Sequence, residues 1–428
     1  MKLIASKTEE LKGEITIPGS KSHTIRAVIF ASLAEGTSKI SNPLKSGDTM
    51  ASVNACIALG AKINTENGNE WIIEGFNLKP TMPKDVLNMA NSGTSTNLVS
   101  GIVAALCEEE ITLDGDDSLR SRPMQPLLKA LNNLGAEALS SDNNGKCPVK
   151  IKGKMTGGKT EVDGISSQFV SSLLIACPLL EEDTEIDVVN MHEKPYIEMT
   201  LKWLDEQGIK YNKNKELTKF KIKGKQKYRP FEKNIPADWS SAAFPMVAAA
   251  ITKSDVLLKG LDTNDTQGDK AIIDYLKKMG AGISAEENGI RIKGKELTGS
   301  ELDLNATPDA LPAMAVAGCF ANGTTKLYNV RQARIKETDR IKVMHSELER
   351  MGADIREMDD GLIIHHSKLH GEKVKGHSDH RVVMALSLAG LIAEGKTTIT
   401  TAESINVTFP NYLELMKSLG ANIKMEGK

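Results

Sequence analysis

The sequence predicts an α/β protein of two lobes, each made of three repeated units with apolar helices inside and sheet outside. Three observations lead there. One phrase returns six times, as "ALGAKI", "NLGAEA", "EQGIKY", "KMGAGI", "RMGADI" and "SLGANI" around Gly60, Gly135, Gly208, Gly280, Gly352 and Gly420, 68 to 75 residues apart. Each phrase ends an amphipathic stretch, such as "PLLKALNNL" or "IIDYLKKM", and precedes an alternating strand such as "VKIKG", "FKIKG" or "IRIKG". Each unit also carries a second stretch that is apolar nearly all round and rich in small residues, such as "RAVIFASLA", "NLVSGIVAALC" or "RVVMALSLAGLIA". A helix of that kind is buried on every side.

The elements follow in order. "GEITI" reads as a strand ended by Pro18-Gly19, and "RAVIFASLA" as the helix after it. Lys21 and Ser22 then sit at a strand-to-helix corner, where free N–H groups and the helix dipole favour anions. Each repeat glycine reads as a C-terminal helix stop. "GKMTGGKT", residues 153 to 160, lacks the P-loop spacing and reads as a turn. The chain ends at "ANIKMEGK", so the last repeat must have a short final strand or borrow one from the start of the chain.

Composition narrows the class. A chain of 428 residues exceeds one ordinary core and suggests two domains. A formal net charge of -2 gives no basic field for nucleic acid. The five cysteines are scattered, form no CxxC pair and suggest a reducing compartment. The longest apolar stretch, "VVMALSLAGLIA", is too short to span a bilayer, and no secretory signal opens the chain. A soluble, cytoplasmic protein is expected. A solenoid that only binds partners is the bland alternative, but this repeat is far longer than common solenoid units.

Polar residues recur at equivalent places. The apolar helices open with "GSKSHTIR", "NSGTST", "ISSQF", "ADWSS", "TPDAL" and "SDHRV", which hold Lys21, Asn91, Ser166, Asp238, Asp309 and Asp379. The amphipathic helices open with "RSRPM", "KPYIEM", "KETDR" and "TFPNY". Helix openings of both lobes are expected to converge on one anion-binding cleft. Arginine usage agrees: there are 11 Arg against 43 Lys, and Arg26, Arg120, Arg122, Arg331, Arg334, Arg340 and Arg381 lie in or beside these openings. Arginine suits forked recognition of phosphate and carboxylate; the alternative is helix-cap pairing, such as Arg340 with Asp339. Acid–base candidates from the same openings are Lys21, Asp309, Glu337 and His380. Asp309 and Asp379 also read as N-caps, the leading reading for Asp379, and Glu337 as a first-turn acid. Arg381 beside His380 favours a neutral imidazole. His365-His366 lacks partners at ligand spacing and reads as strand surface.

"PGSKS", "NSGT", "SSQF", "KPYI", "KETDR", "DHR" and "TFP" occur in this order from residue 18 to residue 410. Together they resemble the family of 5-enolpyruvylshikimate 3-phosphate synthases, or 3-phosphoshikimate 1-carboxyvinyltransferases. The resemblance implies the inside-out α/β barrel fold, with an N-terminal lobe over 18–236 and a C-terminal lobe from 1–17 and 237–428. It implies transfer of the enolpyruvyl group of phosphoenolpyruvate to the 5-hydroxyl of shikimate 3-phosphate, with no metal and no redox cofactor. A monomer acting on these two small molecules, with no nucleic-acid or membrane partner, is expected.

The resemblance also implies roles. Asp309 is the base and Glu337 the proton donor; Lys21 touches phosphoenolpyruvate and shuttles protons, and His380 supports Glu337. Lys21, Ser22, Arg26, Ser166, Ser167, Gln168, Tyr196, Asp309, Gln332 and Lys336 hold shikimate 3-phosphate. Lys21, Asn91, Gly93, Arg122, Gln168, Arg340 and Arg381 hold phosphoenolpyruvate, the last two as a carboxylate clamp. Gly93 also has a physical reason, because a side chain there blocks backbone approach to an anion. Four positions depart from the family pattern: Glu193 where Ser is frequent before "KPY", Gln332 for Asn, Asn97 for Arg and Val407 for the Lys before "TFP". Glu193 facing a phosphate would repel it, so either Glu193 points away or the segment is arranged differently, and Val407 implies weaker binding of phosphoenolpyruvate and weak inhibition by glyphosate. The nearest rival reading is the enolpyruvyl transferase acting on UDP-N-acetylglucosamine, which usually carries Cys where this chain has Asp117. An RNA-end cyclase and a non-catalytic repeat-built binding protein are more distant rivals.

Overall fold

The computed structural model describes residues 1–427; Lys428 lies outside the described residues. The chain divides into two compact lobes, Gly19–Pro236 and Met1–Pro18 with Ala237–Lys428. Each has its own apolar core.

The N-terminal lobe is built on three inner helices, Lys21–Leu33, Gly93–Leu106 and Ser167–Ala176. The C-terminal lobe is built on Trp239–Ile251, Leu311–Phe320 and His380–Ile392. Nearly every residue of these six helices is buried, as their lack of a polar face requires. Their hydroxyls stay satisfied by bonding back one turn: Ser32 donates to the Val28 carbonyl and Ser100 to that of Thr96.

Six outer helices, Gly47–Ala58, Gln125–Asn133, Lys194–Glu206, Ile272–Lys278, Arg340–Arg350 and Tyr412–Ser418, bury one face each. The repeat glycine that follows each has φ between 75° and 108°. That is the left-handed region expected of a helix stop.

The strands form six four-stranded sheets. The second is typical: Ile111–Asp114, Val149–Lys152 and Glu137–Ser140 pair antiparallel in that order, and Leu87–Asn88 joins Ile111–Asp114 in parallel. Three sheets draw a strand from far along the chain. Glu232–Asn234 runs parallel to Thr37–Ser41, and Lys12–Thr16 runs parallel to Asp255–Lys259. Lys2–Ser6 lies antiparallel between Lys396–Thr400 and Ile423–Glu426, so the start of the chain supplies the strand that the last repeat lacks. One expectation needs correction. Residues 153–160 are not all turn, because the strand Gly158–Asp163 begins inside that stretch, where its backbone pairs with Thr184–Val189.

The strand Lys2–Ser6 packs closely on the sixth inner helix. A Cβ added at Gly390 would stand 2.7 Å from the Ala5 Cβ and 2.9 Å from the Thr397 Cβ. Overpacking of this kind costs about 1–3 kcal/mol, so Gly390→Leu should lower the urea midpoint accordingly. An unchanged midpoint would show that strand and helix are not in contact.

Candidate active site

In the N-terminal lobe the helix openings hold one lysine paired with a carboxylate and two arginines with uncharged partners. Ser20 caps the first inner helix, and Lys21 begins it with its ammonium 3.1 Å from Asp48 in the first turn of the first outer helix. One turn on, Arg26 is only 2% exposed. It donates to Thr200 Oγ1 at 2.9 Å, to the Ser22 and Tyr196 carbonyls at 3.1 and 3.3 Å, and to Ser171 Oγ at 3.4 Å. All four partners are neutral, and among the described residues no carboxylate pairs with it. Burial pulls its pKa down to about 10, against a small opposing effect of Tyr196, so it stays charged at neutral pH.

Arg122 behaves alike. Its Nη2 donates to Asn91 Oδ1 at 2.9 Å and to Ser118 Oγ at 3.0 Å. Its Nη1 would lie 2.9 Å from a Cβ at Gly93. The contact is with the tip of a long side chain that can shift, so it marks close packing of the guanidinium on residue 93 and not a strict need for glycine there. The Gly93 N–H closes a tight turn onto the Asn91 carbonyl at 3.1 Å. Asn91 also donates to Asp116. Gln168 is held at both ends of its amide: Nε2 donates to Thr94 Oγ1 at 3.0 Å, and Oε1 accepts from Asn97 Nδ2 at 2.8 Å. Asn97, one of the departures noted above, thus orients Gln168.

Ser166 caps the third inner helix by accepting from the Gln168 N–H, and Ser167 begins it. Glu193 faces this start. Its Oε2 accepts from Ser167 Oγ at 2.7 Å and from the Ser167 N–H at 3.3 Å, with φ at 53° and 2% of its surface exposed. Of the two alternatives for Glu193, the carboxylate does not point away from the helix start. A left-handed backbone is uncommon for a residue with a side chain, and it turns the carboxylate inward. Tyr196 is half-buried in the first turn of the next outer helix.

In the C-terminal lobe carboxylates surround a cation. Arg340, wholly buried, donates from Nε to Asp379 Oδ2 at 2.8 Å and from Nη1 to Asp309 Oδ1 at 2.7 Å. Its Nη2 reaches Glu337 Oε2 at 2.5 Å and Asp379 Oδ1 at 3.2 Å. Burial alone would lower its pKa, but Asp379, Glu337 and Asp309 outweigh that and raise it well above its ordinary value. The other Asp309 oxygen lies 2.9 Å from Arg381 Nη2. The Asp309 and Glu337 side chains stay 20% and 11% exposed, while that of Asp379 is enclosed. His380 is buried at the start of the sixth inner helix. Lys336 is half-buried, and Gln332 is enclosed with its amide nitrogen on the Asn305 carbonyl.

The bland readings fare unevenly. Asp379 is an N-cap, accepting from the Arg381 and Val382 amides, and it is an ion-pair partner as well. Asp309 lies in the 3₁₀ turn Pro308–Ala310 and is the N-cap neither of that turn nor of the helix Leu311–Phe320. Glu337 precedes the helix Arg340–Arg350 instead of standing in its first turn. The partner of Asp339 is Arg334, at 2.7 Å, and not Arg340. Arg120 pairs with Asp114, and Arg331 is exposed, which leaves Arg26, Arg122, Arg340 and Arg381 as the arginines of the two clusters. Asp48 was missed as the partner of Lys21, although it lies 12 residues before Gly60, as Arg340 lies 12 before Gly352.

The profile of the EPSP synthase (3-phosphoshikimate 1-carboxyvinyltransferase) family matches residues 5–416. The chain belongs to the EPSP synthase family. It is 53% identical over 422 residues to the 3-phosphoshikimate 1-carboxyvinyltransferase of Acetivibrio thermocellus, covering 98% of this chain and 99% of that one. It is 44% identical to that of Methanococcus vannielii, covering 99% and 100%. EPSP synthase from Acinetobacter baumannii has a similar structure, with a TM-score of 0.84 at 31% identity and full coverage of both chains. The family's two-lobe inside-out α/β fold is that of this chain.

Membership sharpens one expectation about the EPSP synthase core. Asp379→Asn keeps an N-cap acceptor but removes the charge facing Arg340. Breaking a buried pair from one side costs about 3–5 kcal/mol. Urea unfolding should show a loss of that order, whereas a loss within about 0.5 kcal/mol, the range of surface changes, would mean that Asp309 and Glu337 suffice to hold Arg340.

Proposed function

We propose that the chain is a 3-phosphoshikimate 1-carboxyvinyltransferase, joining shikimate 3-phosphate to phosphoenolpyruvate with release of phosphate. Family membership across nearly the whole chain supports the reaction. The observation that carries the mechanism is the single guanidinium of Arg340 holding Asp309 and Glu337 on its two Nη atoms.

The chemistry needs a proton removed from the 5-hydroxyl and one delivered to the methylene of phosphoenolpyruvate. Asp309 takes the first and Glu337 supplies the second, giving a tetrahedral intermediate. That intermediate expels phosphate, and a proton leaves the new methyl group to restore the double bond. Two acids fixed by one rigid fork keep their spacing through both steps, which is the preorganisation that acid–base catalysis requires. Lys21 contacts phosphoenolpyruvate and relays protons, and His380 supports Glu337. Arg381 takes the carboxylate of phosphoenolpyruvate; Arg340, with most of its donors on protein carboxylates, mainly positions the acids.

The N-terminal lobe supplies anion sites. Arg26 and Arg122 are cations with neutral partners, so an incoming anion gains their charge without breaking an ion pair. Arg26 with Ser22, Ser166, Ser167, Gln168 and Tyr196 holds shikimate 3-phosphate. Arg122 with Asn91 and Gly93 holds the phosphate of phosphoenolpyruvate. The enzyme is cytoplasmic, in keeping with five free, buried thiols. No described helix is long and apolar enough to cross a membrane.

Purified protein should release phosphate from phosphoenolpyruvate with shikimate 3-phosphate and none with UDP-N-acetylglucosamine; the reverse would move the assignment to the rival transferase. Asp309→Asn and Glu337→Gln should each lower kcat at least about a hundredfold, the scale of lost acid–base catalysis, and near-normal turnover would remove that residue from the mechanism. Val407, half-buried at the end of the 3₁₀ turn Ala402–Val407, marks where the family has a lysine. One hydrogen bond to a charged group is equivalent to about tenfold or more in affinity. Val407→Lys should therefore lower the KM for phosphoenolpyruvate by about that factor, and an unchanged KM would show the lysine already replaced.

A further inference from the structure

We propose that Glu193 is a resident competitor for the phosphate of shikimate 3-phosphate and sets the affinity of this chain for that substrate. The proposal rests on the reading above that Ser166 and Ser167 receive the phosphate. A single carboxylate oxygen, Glu193 Oε2, accepts both from the Ser167 N–H and from Ser167 Oγ. These are the donors that a phosphate oxygen at the start of the third inner helix would use, and two anions cannot share them without strong repulsion.

The backbone keeps Glu193 in place. The preceding loop is anchored by the His192 N–H on the Gly164 carbonyl at 3.0 Å, and Gly164 is packed so that a Cβ there would stand 3.1 Å from the Met191 Cα. The Glu193 carbonyl is held at 3.0 Å by the Tyr196 N–H, in the first turn of the helix Lys194–Glu206. Binding of the phosphate must then proceed by rotation of the Glu193 side chain away from Ser167, with its backbone fixed. Arg26, bonded to the Tyr196 carbonyl in that same turn, supplies the cation that draws the stronger anion in.

The consequence is a defined sign. The phosphate gains the Ser167 donors only in exchange for those that the carboxylate gives up, so removing the carboxylate improves binding. A purely structural Glu193 predicts the opposite, because losing it would loosen the helix start.

Calorimetric titration of the full chain with shikimate 3-phosphate, together with steady-state kinetics, tests this in Glu193→Ser and Glu193→Gln. Both Kd and KM for shikimate 3-phosphate should fall about tenfold in Glu193→Ser, the scale of one hydrogen bond to a charged group. Glu193→Gln, which preserves size and removes only the charge, should show a smaller fall, and the KM for phosphoenolpyruvate should stay unchanged in both. A Kd equal to or higher than that of the native protein in both variants overturns the proposal. Ser167→Ala separates the two layers of the argument. If it raises the Kd while the Glu193 variants do not lower it, the phosphate placement stands and the competitor role falls. If all three variants leave the Kd unchanged, the phosphate binds elsewhere and the underlying reading falls too.

Discussion

The C-terminal lobe depends on one buried cation. Taking a guanidinium out of water costs several kcal/mol, and only good geometry with fully used donors offsets it. Arg340 has the geometry and uses most of its donors, on three carboxylates in three directions. They come from the fifth inner helix opening, from the segment before the fifth outer helix and from the sixth inner helix opening. One side chain thereby ties together two consecutive repeats at equivalent ends. A lysine could not do so, since its ammonium is a point charge without a planar fork. Three carboxylates outnumber Arg340 alone, and Arg381 on the far oxygen of Asp309 reduces that excess without removing it.

The N-terminal lobe solves the reverse problem. Arg26 is just as buried but bonded to hydroxyls and carbonyls, which satisfy its donors without cancelling its charge. Arg122 is bonded to an amide oxygen and a hydroxyl. A cation held this way is not neutralised by a protein carboxylate, and Arg122 Nε is in addition buried without a hydrogen-bond partner among the described residues. The two lobes thus differ in the arginines of their clusters: Arg340 and Arg381 are paired with carboxylates, whereas Arg26 and Arg122 have neutral partners, although Lys21 of the N-terminal lobe is paired with Asp48.

Much of this was legible in the sequence because repeats place equivalent residues at equivalent corners. The glycine stops and the all-apolar inner helices follow from spacing and composition alone, whereas the short last repeat left a short final strand and a borrowed one open, and the structure has the borrowed one. Asp309, Glu337, Arg340 and Arg381 were legible as helix openings, yet not as one cluster, because ion pairs between residues 31 or 39 apart leave no local pattern. Asp379 looked like an ordinary cap since capping and ion pairing use the same short acid. The inward turn of Glu193 was not legible, since nothing in "MHEKP" demands a left-handed residue there.

Gly93 shows how charge and backbone become one constraint. A glycine at a helix start is commonly explained by anion access to the backbone, but here its N–H is already turned onto the Asn91 carbonyl. What the missing side chain admits is Arg122, whose Nη1 fills the space that a Cβ would contest. Asn91 accepts from the same guanidinium and donates to Asp116, so it holds Arg122 at the helix mouth while its acidic neighbour stays one bond removed. The motif "NSGT" is then a seat for an arginine: Asn91 orients it, and Gly93 lets its guanidinium approach closely.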